Sequence, residues 1–161
     1  PPRSTLDRSS AASDVYKRQF DISEYITDIA KKEGLAKGLK PLGKITLHIS
    51  CHSRAQNMGQ KGAEMLQAVP DTEVTVIERC SGHGGSWGVM KENFNVALKV
   101  GKPVARQAEK ALKAGSQHIV SECPLAREHI LQGIDNLADI EASNISSAQH
   151  PIQLLARAYG F

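Results

Sequence analysis

At 161 residues, with 40% hydrophobic and 23% charged side chains, the chain has the size and composition of one soluble globular domain. Aromatics make up only 4%, so aliphatic side chains and alanine must fill the core. Arg3, Arg8, Lys17 and Arg18 against Asp7 and Asp14 put +2 of the net +3 into residues 1–19, and the +1 left is too little for the concentrated basic face of a nucleic-acid binder.

No apolar run approaches the roughly 20 residues of a membrane-spanning helix, and the first residues show no apolar h-region of the secretory kind. The three cysteines are odd in number and widely spaced. That argues against a disulfide framework and for free thiols in a cytoplasmic setting.

Residues 1–19 are polar, rich in Ser and Arg, and aperiodic, which predicts disorder. The run SAASDVYKRQ resembles a translated adapter junction, so this tail is expected to be foreign, with the native chain starting near Phe20. Residues 20–161 are expected to form one domain. Ile22, Tyr25, Ile26 and Ile29 lie at helical spacing over residues 20–33, with Gly34 as the stop.

A pattern then repeats three times. Ile45, Leu47 and Ile49 alternate with Thr46 and His48 as in a strand, Cys51 follows, and a helical pattern runs through Ala55, Met58, Ala63, Leu66 and Val69. Val74, Val76 and Ile77 form a second strand that leads to Cys80; Met90, Phe94, Ala97 and Leu98 share a helical face after the glycines. Pro103 suits the first turn of a further helix carrying Val104, Ala108 and Leu112, capped by Gly115. A short strand around Ile119 and Val120 leads to Cys123, and Pro124 opens a helix with Leu125, Ile130, Ile134 and Leu137. Residues 138–149 read as a loop, and His150-Pro151 starts a last helix ending at Gly160.

Strands alternating with helices predict an α/β, three-layer-like domain with a mainly parallel sheet. Ligands of such sheets bind beyond the carboxyl ends of the strands. Cys51, Cys80 and Cys123 each follow a strand, so all three are expected at one sheet edge.

The run ERCSGHGGSWG, residues 78–88, raises three chemistries. A dinucleotide fingerprint needs a third glycine where Trp87 stands, and no Gly-Lys-Ser/Thr exists for a Walker loop. Ser81 beside His83 lacks the Gly-x-Ser-x-Gly elbow of a hydrolase. A metal corner fits better: thiolate and imidazole are zinc ligands, thiolates hold iron–sulfur clusters, and His83 can add a fourth donor to the three cysteines. Set against this, three cysteines can simply be small buried hydrophobes. His52 is a further ligand or proton carrier, or a hydrogen-bonded histidine. His48, His118, His129 and His150 are expected to be satisfied hydrogen-bonding histidines, and Trp87, Met90 and Phe94 core residues rather than an apolar wall around a redox centre.

The corners Cys51-His52-Ser53-Arg54-Ala55-Gln56, Arg79-Cys80-Ser81-Gly82 and Glu122-Cys123-Pro124-Leu125-Ala126 together resemble the cysteine-rich CCG domain of iron–sulfur oxidoreductases over residues 44–135. The flanks, 20–33 and 148–161, are similar to the glycerol-3-phosphate-dehydrogenase-type members. The resemblance implies an electron-transfer domain holding an iron–sulfur cluster of four-iron type. It would pass electrons from a flavoprotein dehydrogenase toward quinone or another carrier, as part of an oxidoreductase complex and not as a catalyst alone. It also implies a second copy of the domain, behind a missing N-terminal half with a first cysteine-rich copy, in a cytoplasmic protein peripheral to the membrane through its partners. Ser81 stands where the family has the second cysteine of Cys-Cys-Gly, and Ala126 where it has the last cysteine. Three cysteines and His83 then suit a cluster or a tetrahedral zinc; a zinc-stabilised or metal-free interaction domain is the alternative.

Overall fold

The computed structural model describes residues 20–137, 145 and 150–161. The tail over 1–19 and the loop over 138–149, apart from Ile145, lie outside the described residues. Helix α1 (Ile22–Lys32) starts where Asp21 accepts a hydrogen bond from the Ser23 amide at 2.8 Å, and ends before Gly34 at φ 79°. Then follow β1 (Gly43–His48), α2 (Cys51–Ala55), α3 (Lys61–Gln67), β2 (Thr72–Ile77), a 3₁₀ turn at Trp87–Val89, α4 (Phe94–Lys113), β3 (His118–Ser121), α5 (Pro124–Asp135) and α6 (Pro151–Ala158).

The three strands form an all-parallel sheet in the order β2-β1-β3. Alternation along β1 divides the core. Ile45, Leu47 and Ile49 pack with Met65, Leu66 and Val69 from α3 and its end, and with Leu154, Leu155 and Ala158 from α6. On the other side, Ile77 and Ile119 pack with Val104, Ala105 and Ala108 from α4 and with Ile130 and Ile134 from α5. Helices therefore cover both faces, as a parallel sheet requires. Each fully buried aliphatic side chain contributes about 1.5–3 kcal/mol. Gly133 lets α5 approach α4, since a Cβ there would come 2.9 Å from that of Ala105.

Three elements depart from the sequence reading. The helix expected through Ala55 to Val69 is two helices, broken where Asn57 (φ 55°) and Gly59 (φ 74°) turn left-handed. Pro103 does not open a new helix but lies inside the 20-residue α4. It removes the hydrogen bond to the Lys99 carbonyl, but on the exposed side, where water can replace it, while Ala97, Gly101, Val104, Ala105 and Ala108 stay on one buried face. In α1 the residues buried are Ser23 and Thr27, whereas Ile22 and Tyr25 are exposed. The Thr27 hydroxyl reaches the Ser23 carbonyl at 2.7 Å and the Lys61 carbonyl at 3.1 Å, which docks α1 on the start of α3 through polar contacts.

Candidate functional site

The strand register levels the carboxyl ends: His48 pairs with Ile77 on one side and with Ser121 on the other. Cys51 and Cys80 follow three residues after His48 and Ile77, and Cys123 two residues after Ser121. The three cysteines thus lie beyond one edge of the sheet, as their positions after the strands imply. All three are free thiols; Cys51 and Cys80 are exposed and Cys123 half-buried.

Cys51 is the first residue of α2, and Arg54 one turn later donates from Nη2 to its sulfur at 3.4 Å. Cys123 is the N-cap of α5, with Pro124 at the first helical position. Its sulfur lies 3.8 Å from His83 Nε2, and His83 Nδ1 lies 3.2 Å from the Gly85 carbonyl oxygen. His83 is thus turned toward Cys123 by its own glycine loop. The structure brings this pair together and leaves Cys51 and Cys80 apart from it: among the described residues, no three His, Cys, Asp or Glu side chains gather as a ligand group. The donor chemistry suits zinc or an iron–sulfur cluster, but two donors within reach do not make the three or four protein ligands those centres take. The residues as placed do not by themselves fit a complete centre.

The loop carrying Cys80 and His83 is fixed by close backbone approach. A Cβ on Gly82 (φ 90°) would collide with the Ala97 carbonyl and come 2.7 Å from the Gly101 nitrogen, and one on Gly101 would collide with the Ser81 carbonyl. The glycines therefore seat the loop on α4. Ser81 is 2% exposed and Ala126 is 1% exposed, so both departures from the family pattern lie within the packing. Trp87 (42% exposed) and Met90 (48%) are not core residues, contrary to expectation; Phe94 is half-buried, edge-on to His129 with ring centroids 5.9 Å apart. In the 3₁₀ turn it is Gly88 that is buried, which leaves Trp87, Val89 and Met90 exposed.

Two buried hydrogen-bond networks underlie the corners, and sequence reasoning missed both. In the first, His48 Nε2 lies 2.8 Å from the Arg79 carbonyl, His48 Nδ1 lies 3.0 Å from Ser121 Oγ, and Ser121 Oγ accepts from the Cys123 amide at 3.2 Å. Burial pushes the His48 pKa down, with Arg54 and His83 adding to the effect and the Arg79 carbonyl opposing it. In the second, Ser53 donates from Oγ to Glu122 Oε2 and lies 2.8 Å from Ser50 Oγ, tying α2 to the residue before Cys123. His52 Nε2 lies 3.2 Å from Ser50 Oγ, in line with the hydrogen-bonded reading. His150 caps α6 by accepting from the Ile152 amide at 3.2 Å. His129 differs: both of its ring nitrogens are buried without a hydrogen-bond partner among the described residues, and so is Nδ1 of His118. His129 packs instead as a flat ring between Phe94 and Gly101.

No protein-family model matches the chain, and no solved structure matches it. Among curated proteins it is 32% identical over 128 residues to the C subunit of anaerobic glycerol-3-phosphate dehydrogenase from Escherichia coli K12, and equally to that of Escherichia coli O157:H7. The match takes in 78% of this chain, a stretch long enough that it must include all three cysteines. The chain spans 29% of the length of those relatives. It is therefore a relative, along most of its own length, of a segment of the C subunit of anaerobic glycerol-3-phosphate dehydrogenase, the kinship its three cysteine corners suggested.

Proposed function

We propose that this chain is a cysteine-rich electron-transfer domain of an oxidoreductase complex of the glycerol-3-phosphate dehydrogenase type. The observation that carries the reading is the 32% identity to the dehydrogenase's C subunit over a stretch that takes in all three cysteine corners. The level strand ends and the Cys123–His83 pair support it. In this reading Cys51, Cys80, Cys123 and His83 are the donors offered to an iron–sulfur centre. A flavoprotein dehydrogenase supplies the electrons, quinone or another carrier takes them, and the rest of the longer protein, including a first cysteine-rich copy, sits beside this domain. In this reading the domain has a cytoplasmic place, peripheral to the membrane through its partners; no helix among the described residues is long and apolar enough to cross a membrane.

Anaerobic reconstitution of the full chain with iron and sulfide, followed by metal analysis and EPR, tests this. Iron with acid-labile sulfide and a reducible EPR signal is the expected result. A folded chain that takes neither sinks the cluster. One zinc per chain without a redox signal would instead favour the zinc-stabilised interaction domain, which the thiol–imidazole pair and the exposed Trp87, Val89 and Met90 also suit.

A further inference from the structure

We infer that His48 is a positioning residue, whose imidazole locks the Cys80 corner to the Cys123 corner through two directed hydrogen bonds. The inference deepens the proposed function and rests on it only for the purpose of the corners, not for the geometry. His48 is 1% exposed and lies at the end of the central strand, level with the ends of both neighbours. One ring nitrogen faces the residue before Cys80 and the other faces the residue two before Cys123.

The partners fix the tautomer. The Arg79 oxygen is a carbonyl and can only accept, so Nε2 must carry the hydrogen. In the neutral ring Nδ1 then holds a lone pair and accepts from the Ser121 hydroxyl. That hydroxyl oxygen in turn accepts from the Cys123 amide. The hydrogens therefore run in one direction, from the Cys123 N–H through Ser121 and His48 to the Arg79 carbonyl, the arrangement in which each bond polarises the next. The backbone on either side of the sheet edge is thus held at a spacing set by the width of one imidazole. Cys51 lies outside this chain of bonds; its corner is tied to Glu122 through Ser53.

The test compares the reduced, chelator-treated full chain with His48→Phe and His48→Gln. Phenylalanine keeps the ring volume and neither bond. Glutamine can keep an N–H at the Nε2 position and so the bond to Arg79. Alkylation rates of each cysteine with iodoacetamide are read by mass spectrometry, and the ring tautomer of the unsubstituted chain by 15N NMR. In His48→Phe the rates at Cys80 and Cys123 are expected to change by about fivefold, the equilibrium factor of one net hydrogen bond, with Cys51, which has no bond to His48 or Ser121, changing less. His48→Gln should restore Cys80 and leave Cys123 altered, and the spectrum should place the hydrogen on Nε2. Unchanged Cys80 and Cys123 rates in both variants overturn the inference. So does a hydrogen on Nδ1, a measurement that needs no variant and stands even if His48→Phe fails to fold. These readouts involve no metal, so a chain that binds none, yet shows the expected tautomer and rate pattern, defeats the electron-transfer reading alone.

Discussion

Cys123 Sγ and His83 Nε2 lie 3.8 Å apart, although forty residues of sequence separate them. The imidazole is aimed by its Nδ1 contact with the Gly85 carbonyl, and the thiol is presented from the N-cap position of α5. In the proposed reading both are ligands of one centre. His83→Ala is therefore expected to weaken zinc or iron binding by at least about tenfold, the low end of what even an indirect ligand contact costs. Competition with a chromogenic chelator measures this. Equal affinity in the variant would mean that the pair is a packing contact.

Gly82 and Gly101 hold the Cys80 loop on α4, and they separate two effects of adding a methyl group. At Gly82 the methyl would strike backbone atoms of Ala97 and Gly101 that cannot yield, and φ is 90°. Gly85 also has positive φ, at 66°, but meets nothing within 4 Å. Gly85→Ala is expected to cost about 1–2 kcal/mol from backbone strain alone. Gly82→Ala adds overpacking worth about 1–3 kcal/mol more. Urea midpoints of the two variants give the comparison, and equal losses would show that the loop lifts freely from α4.

The layering and the sheet-edge placement of the cysteines are legible in the sequence because each depends on a local period. Ile45, Leu47 and Ile49 alternate, and each strand ends shortly before a cysteine. Other features depend on relations between distant residues. The role of His48 appears only once register sets it beside both Ile77 and Ser121. Pro103 favours a helix start by local preference, and only the burial on either side of it keeps α4 continuous. The glycines of residues 78–88 suggest a turn, but a sequence does not show that α4 is what they let the backbone approach.

Burial also lowers the pKa of His118 and His150, as it does that of His48. For His118 the Arg157 charge adds to the effect; for His150 the carboxylates of Asp21 and Glu122 oppose it. Each folded value lies below the unfolded value of about 6.5. Between the two values the unfolded chain binds more protons, so these groups reduce stability as pH falls below about 6.5 and contribute no slope above it. Urea midpoints are expected to fall from about pH 6.5 toward pH 5, more gently in His48→Gln. A slope unchanged by that substitution would remove His48 from the account.

Leu47 is fully buried between α3 and α6, whereas Trp87 and Met90 are partly exposed beside the glycine loop. Size and hydrophobicity alone rank Trp87 as the costlier residue to truncate; exposure reverses that order. Leu47→Ala is expected to lose about 2–5 kcal/mol, the transfer free energy plus the cavity left behind. Trp87→Ser and Met90→Ser should each lose less than Leu47→Ala, because these residues are already 42% and 48% exposed and no closed cavity is left behind. Denaturant melts of the three variants decide between the two rankings. A loss at Trp87 comparable to that at Leu47 would mean that the loop folds inward in solution, and the corner holding Cys80 and His83 would then belong to the core.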